Sequence, residues 1–397
     1  MDSGQVLIVG AGIGGLTAAL YLHQLGFVVQ VYEQTVRTTG DGAGIQLSPN
    51  ATRVLHQVGL ASSLASISSK PSVIDIQHWR TGRRITNIRL ASGVEADQSS
   101  FPYYHVHRGD LLACLTRAVV DASIPVHRGK RIDNVGVTET QAWISGPDTR
   151  ENASLVVGAD GIHSSVRRSL FDPDEPIFSG HVAWRGIISS KSITSKTLAT
   201  RAVLWWGPKK HVVHYAVHNG QDINVVCVDR APHWTNESWT EHGDQKELAA
   251  AFGDWHDDIA QLIDRINPHF CFRWGLFNHA PLKHWSRGRV TLLGDACHPT
   301  LPYLAQGAAM AIEDSAALAQ CLKQCGSVEK GLEAYERVRR KRASRIQRMS
   351  RRNGHIFHLT GTSAWARNWA AQHMGEHILR NVHDYDVFAS INRYFKD

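Results

Sequence analysis

The sequence predicts an α/β protein with a dinucleotide-binding core, a second and mostly antiparallel sheet, and a helical C-terminus. Three observations carry this. A strand–glycine loop–helix–strand unit opens the chain, two further strand–loop–helix units follow at long intervals, and a β-rich, aromatic stretch separates those two. The 397 residues are 43% hydrophobic and 20% charged, ordinary globular composition with room for a sizeable core.

The opening stretch "QVLIVGAGIGGLTAALYLHQLGFVVQVYEQ" reads as one βαβ unit. Val6 to Val9 is a continuous apolar run, as expected of a parallel strand buried on both faces. Gly10-x-Gly12-x-x-Gly15 follows. The first glycine permits a tight turn, the second lets the backbone approach a pyrophosphate, and the third lets helix pack closely on strand. The helix N-terminus adds N–H groups and the positive end of a dipole. The second strand ends in Glu33, whose carboxylate can accept from both hydroxyls of a ribose and repels a 2′-phosphate. This unit therefore predicts NAD or FAD, not NADP, at the loop.

Next comes the glycine-rich "RTTGDGAGIQLSPNATRVLHQVGL", with a helix that Ser48-Pro49-Asn50 can open. In "ASLVVGADGIHSSVRRSLF", Leu155 to Val157 is a short buried strand, Asp160-Gly161 a turn signal, and Arg167 and Arg168 lie in the following helix. "HVAWRGIISS", "RAVLWWG", "KHVVHYAVHN" and "DINVVCVDR" then alternate and are rich in aromatics, predicting an antiparallel sheet. Alternation in "KHVVHYAV" places His211, Val213 and Tyr215 on one face and His214 on the other. "GRVTLLGDACHPTLPYLAQGAAMAIEDSAALA" is the third strand–loop–helix. Three such units so far apart imply one extended cofactor touched at several points. The expected division is a cofactor domain over 1–177 and 278–350, a β-sheet layer over 178–277, and a C-terminal helical segment over 351–397.

Other features exclude function classes. The six cysteines lack metal-ligand pairing, since Cys321-x-x-x-Cys325 has no second half, so reduced thiols in a cytoplasmic protein are expected. The apolar N-terminus lacks a basic start and reads as structure, not as a targeting segment. No apolar run of ~20 residues predicts a membrane span. Asn50, Asn152 and Asn236 head N-x-S/T triplets that read as chance matches. The net charge of +7 owes much to "RVRRKRASRIQRMSRR", Arg337 to Arg352. Val338, Ile346 and Met349 interrupt that run and no recognition motif accompanies it. It reads as a solvated helix face, with a field that attracts anionic substrates and no nucleic-acid site. Trp365 and Trp369 predict packing of the tail over the core or at a homodimer contact.

With these residues in view, the chain resembles the single-component FAD-dependent aromatic hydroxylases related to para-hydroxybenzoate hydroxylase. The motifs that carry the resemblance are Gly10–Gly15, Asp160-Gly161 with Arg167, and Gly294-Asp295 continuing into His298-Pro299. "GAGIQLSPN", "YHVHRGDL", "SGHVAWRG" and "LPYLAQGAAMAIEDS" look like salicylate hydroxylase, 3-hydroxybenzoate 6-hydroxylase and 6-hydroxynicotinate 3-monooxygenase. The implied fold is α/β: an FAD-binding Rossmann-like (GR2-type) core, a mixed or antiparallel β-sheet substrate layer, and C-terminal helices.

The resemblance also implies roles. Asp295 would bond the FAD ribityl chain, and the helix N-terminus around Gln306, Gly307 and Ala308 would face the N1/O2 edge of the reduced flavin. Arg108 would reach the ribose and pyrophosphate, and Asp160 would serve FAD and NAD(P)H. The Gly42–Gly44 loop and Gln46 would contact a mobile flavin, and Arg37 could meet a phosphate. His298 is expected to be structural or to sit beside the flavin. Tyr103, His211, Tyr215, Gln46, Pro302 and Tyr303 would line the substrate pocket, although a strand aromatic or a core histidine would look the same in sequence.

The implied reaction uses NADH or NADPH to reduce FAD, forms a flavin C4a-hydroperoxide with O₂, and hydroxylates a ring activated by a hydroxyl. His211 is the candidate base, with Tyr215 as its hydrogen-bonding companion. An apolar roof would keep water from the reactive flavin. Gln46 and Tyr303 stand where the hydroxynicotinate enzymes carry His, and Pro302 where the 3-hydroxybenzoate 6-hydroxylases carry Gln. Salicylate-like, ortho-hydroxylated acids are therefore the expected substrates, with or without loss of CO₂. 6-Hydroxynicotinate, 3-hydroxybenzoate and a larger secondary-metabolite phenol are the alternatives. An NAD-dependent dehydrogenase or flavin oxidase is the rival class, against which Asp160-Gly161 and Gly294-Asp295 argue.

Overall fold

The computed structural model describes residues 4–36, 42–90, 101–171, 175–193, 198, 201–234 and 241–396, apart from the side chains of 374–378 and 380. Gln5–Val9 sits inside a six-stranded sheet with the order Ser286–Arg287, Val290–Leu292, Leu155–Gly158, Gln5–Val9, Val28–Glu33, Val126–Arg128. Every pairing is parallel except that of the edge strand Ser286–Arg287. Parallel strands are covered on both faces, which is why Val6, Leu7 and Ile8 are fully buried. Each such side chain contributes roughly 1.5–3 kcal/mol by leaving water.

The three strands that precede the three motifs are neighbours in this sheet. Their carboxyl ends, and so the three loops, converge on one crevice, the usual ligand position in open α/β sheets. Helices Ile13–Gln24 and Gly307–Gln324 leave that crevice packed together, with Ser315 Oγ donating to the Gly14 carbonyl at 3.0 Å.

A seven-stranded mixed sheet forms the second layer, in the order Phe272–Asn278, Ile177–Ser189, Asp222–Arg230, His211–Val217, Ala202–Trp206, Val73–His78, Arg84–Arg89. Only Ala202–Trp206 with Val73–His78 is parallel. The last two strands come from within 1–177, so the layer reaches beyond the segment 178–277. The outer face places Trp184, Trp205, Val212 and Cys227 against Leu248, Phe252, Ile259 and Leu262, on and beside the helices Gln245–Ala251 and Asp257–Asp264. The inner face carries Trp206, His211, Val228, Ala183 and Trp274 as register partners across five strands.

The basic run lies on Val328–Phe357, a 30-residue helix that continues through residue 350. It is not a purely solvated face. Arg339 is fully buried and pairs with Asp314 and Glu313 at 2.7 Å each, and the nearly buried Arg342 meets Glu313 at 3.2 Å. Charge spacing alone did not announce the acidic pair on the neighbouring helix. Trp365 and Trp369 do not pack over the core, the first of the two expected placements, being 72% and 58% exposed. Their helix, Gly361–His383, packs a different face, with Arg367 over the Trp206 ring at 4.7 Å. The six cysteines form no disulfide. Among the described residues no helix is long and apolar enough to cross a membrane.

Candidate active site

The first loop has the geometry its glycines predict. Gly10 holds φ +106°, and a Cβ there would lie 2.4 Å from the Ala159 carbonyl oxygen. A Cβ at Gly15 would lie 2.0 Å from the Gly10 oxygen. A Cβ at Gly12 would meet nothing within 4 Å, so this backbone borders open space. Glu33 is more committed than its sequence suggests. Its carboxylate accepts from Ala11 N, Thr35 N and Thr35 Oγ1, each at 2.8 Å. That leaves about one of its four acceptor positions for an incoming hydroxyl.

Asp160 is bound into its own helix cap. It accepts from Ser164 Oγ at 2.5 Å, Ser165 Oγ at 3.1 Å and Val166 N at 3.2 Å. Burial raises its carboxyl, against the pull of those bonds. Arg167, almost fully buried, donates to the carbonyls of Ala296 and Cys297 and so joins the second loop to the third.

On the third loop, Asp295 has an open face but is otherwise ringed by protein. Desolvation raises its carboxyl first of all, Asp314 raises it further, and His298 and Arg108 oppose both. Among the described residues neither the Asp295 carboxylate nor the Arg108 guanidinium has a hydrogen-bond partner. Desolvation pulls Arg108 down, while Asp295 and Glu33 counter it, so all three groups address one crevice. The helix Gly307–Gln324 starts there without a side-chain cap or an acid in its first turn. The Gly307 and Ala308 amides have no partner among the described residues. An open glycine backbone, an unpaired guanidinium and carboxylate, and an uncapped helix N-terminus fit the pyrophosphate, ribityl chain and polarised ring edge of FAD.

Sequence reasoning missed what holds that helix start. Gln306 is buried, donates to Ser48 Oγ at 2.9 Å and accepts from Asn50 Nδ2 at 3.0 Å, while Asn50 also reaches Glu313 at 2.5 Å. The polar Ser48, Asn50 and Gln306 inside otherwise apolar motifs were the available signal. His298 is structural: its Nε2 meets Asp314 Oδ2 at 2.6 Å and its ring lies against Trp285. Arg37 lies outside the described residues.

The roof brings the remaining candidates together at two ends of one face. At one end, His211 is buried with its ring 5.5 Å from Tyr303 and 5.6 Å from Phe357. Gly354 makes room for Tyr303, since a Cβ there would lie 2.7 Å from that ring. The Tyr303 hydroxyl is buried without a partner among the described residues, whereas Pro302 beside it is exposed. Burial, then His358 and His181, push His211 well below the usual histidine range.

At the other end, Tyr103 donates to Gln46 Oε1 at 2.6 Å, and Tyr215 lies on the His105 ring at 4.3 Å. Burial raises both tyrosine hydroxyls, and Gln46 partly opposes this at Tyr215. Gly44 passes directly under Tyr215, where a Cβ would lie 2.5 Å from the ring, and its amide donates to Asn224 Oδ1 at 2.8 Å. His105 and Asn224 were missed, because their importance comes from cross-strand partners. Between the two ends run Leu204, Val213 and Val226, register partners that remain only partly buried. His214 faces away, as alternation requires, and burial holds it at about 4.

Two other features lie apart from this face. A cavity of about 430 Å³ on the outer side of the roof is lined by Trp184, Trp234 and Arg273, among others. His107, Asp110 and His218 are spaced for a metal, but His107 already accepts from Gly109 N and meets the Gly42 carbonyl at 3.0 Å.

Crevice and roof together fit a flavoprotein, with the partly apolar inner face of the roof beside the loop that leads into the helix at Gly307. A family model described as an FAD binding domain matches residues 3–350. The chain is 37% identical over 361 residues to 3-amino-4-hydroxybenzoate 2-monooxygenase from Streptomyces cremeus, covering 89% of this chain and 88% of that one. It is 37% identical over 363 residues to 6-hydroxynicotinate 3-monooxygenase from Pseudomonas fluorescens, covering 89% and 91%. A salicylate hydroxylase substrate complex shares the fold, with TM-score 0.85 at 22% identity over 99% of this chain and 98% of that one. The chain belongs to the FAD-binding-domain family, as an FAD-dependent aromatic monooxygenase.

Proposed function

We propose that this protein hydroxylates a single aromatic or heteroaromatic ring bearing a hydroxyl and a carboxylate, with NADH or NADPH and O₂ as co-substrates. The observation that carries the reading is the roof face. A buried, neutral His211 and the Tyr215–Gln46–Tyr103 group stand at opposite ends of the partly buried row Leu204, Val213, Val226. The relatives' names support the substrate class, since 3-amino-4-hydroxybenzoate and 6-hydroxynicotinate each pair a hydroxyl with a carboxylate.

In this reading Glu33, Arg108 and Asp295 hold the ribose, pyrophosphate and ribityl parts of FAD. The backbone at Gly10, Gly12, Gly15 and Gly44 and the fixed Asp160 turn admit it closely. When bound, FAD supplies hydride acceptance and oxygen activation. The Gly307 and Ala308 amides stabilise negative charge at its ring edge. His211 Nε2 accepts the substrate's hydroxyl proton, making the ring electron-rich. Tyr215, Tyr103 and Gln46 orient the ring, Tyr303 and Pro302 close the chamber, and the aliphatic row excludes water. The cofactor domain is 1–177 with 278–350, and Val73–Arg89 is added to the substrate layer. The exposed Trp365 and Trp369 support a homodimer contact, and the unpaired thiols support a reducing, cytoplasmic setting.

The test is NADH and NADPH oxidation by FAD-loaded protein across hydroxylated benzoates and nicotinates, salicylate included, with product masses. Stimulated oxidation with a product one oxygen heavier, or with CO₂ replaced by a hydroxyl, is expected. FAD binding with no stimulation by any member overturns the one-ring acid. His211→Gln should keep its FAD and lose about 10²–10⁴-fold in product formation.

A further inference from the structure

Three imidazoles stand in series along the inner face of the roof. His211 Nδ1 lies 2.8 Å from His358 Nε2, and His358 Nδ1 lies 3.2 Å from His181 Nε2. The outermost ring ends on the backbone, with His181 Nδ1 at 3.2 Å from the Ser179 carbonyl oxygen. A carbonyl only accepts, so His181 Nδ1 carries the hydrogen. A neutral imidazole has one hydrogen, so His181 Nε2 accepts, and His358 Nδ1 must donate to it. The same step inward makes His358 Nε2 an acceptor and His211 Nδ1 a donor. His211 Nε2 is then left with a bare lone pair, and no protein group among the described residues bonds it.

We propose that His358 and His181 are positioning residues that set His211 as a base at Nε2, and that protonation of His181 reverses the series and disarms it. This rests on the reading of His211 as the base. In the reversed order His181 Nε2–H donates to His358 Nδ1, His358 Nε2–H donates to His211 Nδ1, and the His211 hydrogen sits on Nε2. That atom then faces the substrate as a donor and cannot take its proton. One proton is gained overall, at His181. His358 and His211 each keep a single hydrogen, moved from Nδ1 to Nε2.

The surroundings favour the neutral order. His181 is faced by His355 on the helix Val328–Phe357 and by Arg230 and Asp229 on the strand Asp222–Arg230. His358 is faced by His355 and by Arg367 of the helix Gly361–His383. Asp229 is the one carboxylate among these groups, and Lys210 holds it at 3.1 Å. Burial, with His181, His355 and Arg367, takes His358 down to about 3. Burial also lowers His181; the Ser179 bond and Asp229 oppose this, and His355 and Arg230 reinforce it. A proton enters at His181 first, because placing it on either inner ring would bury the charge among imidazoles. Since His181 is held below its ordinary 6.5, the base order is complete at neutral pH and is lost as pH falls below that value.

Nitrogen NMR of ¹⁵N-histidine-labelled, FAD-loaded protein tests this without a substrate, with assignment by His181→Gln, His358→Gln and His358→Ala. At pH 7.5 all three rings should carry hydrogen on Nδ1. On acidification the His211 hydrogen should move to Nε2 with the midpoint of His181. His181→Gln should abolish that movement, because the amide oxygen still accepts from His358 but does not titrate. His358→Gln, which can accept and donate in the same places, should keep His211 in the Nδ1–H form, whereas His358→Ala should mix the two tautomers at unchanged bound flavin. A His211 ring with hydrogen on Nε2 at pH 7.5, or one indifferent to His181, overturns the proposal. Failure of the base reading is separate: it appears as undiminished 6-hydroxynicotinate- or 3-amino-4-hydroxybenzoate-stimulated turnover in His211→Gln, whatever the tautomers are.

Discussion

The glycine loop and the roof of the chamber are built on opposite principles. Gly10, Gly12, Gly15 and Glu33 fall within one βαβ unit, and apart from the approach of Ala159 to Gly10 their contacts are fixed by the turn that brings them about. The roof draws its groups from separate stretches: Gln46, Tyr103 and His105, His211 and Tyr215, Asn224, Tyr303, and His358. Local chain geometry specifies the first region, and sheet register specifies the second. A binding site for a constant cofactor tolerates the first kind of construction. A site that must fit one ring among many gains from the second, since each wall can change without disturbing the others.

The largest effect should come from overfilling the compact region. Gly15→Val would place side-chain atoms where a Cβ alone is 2.0 Å from the Gly10 oxygen, and neither backbone can retreat. The protein should be obtained without FAD, as read by bound-flavin absorbance per chain, and should melt earlier. Gly12→Ala sharpens the comparison, because its Cβ meets open space. Its melting temperature as apoprotein should match the parent, while FAD affinity falls at least about tenfold from obstructed backbone approach. Equal damage from both substitutions would break the distinction between packing and binding glycines.

What was legible follows the same division. The βαβ unit at the first motif, the third strand–loop–helix unit and the face shared by His211, Val213 and Tyr215 all follow from period and turn chemistry. The burial of Arg339 and Arg342 does not, because nothing within Arg337–Arg352 separates these two from their exposed neighbours. The clue lay elsewhere, in Glu313-Asp314, an acidic pair inside the apolar "GAAMAIEDSAALA" that must find cations if it is buried. Asn224 and His358 gave no local signal, since their roles exist only once distant strands and a helix end are in place.

That buried cluster gives the next largest effect. Burial works to raise Asp314, but His298 and Arg339 outweigh it and hold the carboxyl at about 2. Its folded value lies below the ordinary 3.8, so its contribution to stability is present above that value and is lost as pH falls towards 2. Arg339→Ala should cost about 3–5 kcal/mol by leaving two buried carboxylates with incomplete partners. In denaturant titrations the variant should also lose the parent's steep fall in stability between about pH 4 and pH 2. A parent-like acid profile in the variant would show that Asp314 draws its support from His298 alone.

The smallest effect belongs to the exposed tail. Trp365 is 72% exposed, so Trp365→Ser should change the stability of an isolated chain by no more than about 0.5 kcal/mol. Light scattering and thermal melts at two protein concentrations measure whether the chain is isolated. A melting temperature that rises with concentration in the parent and not in the variant would mean a second copy covers this residue. The tail would then follow the logic of the roof, with its contacts supplied from far outside the local sequence.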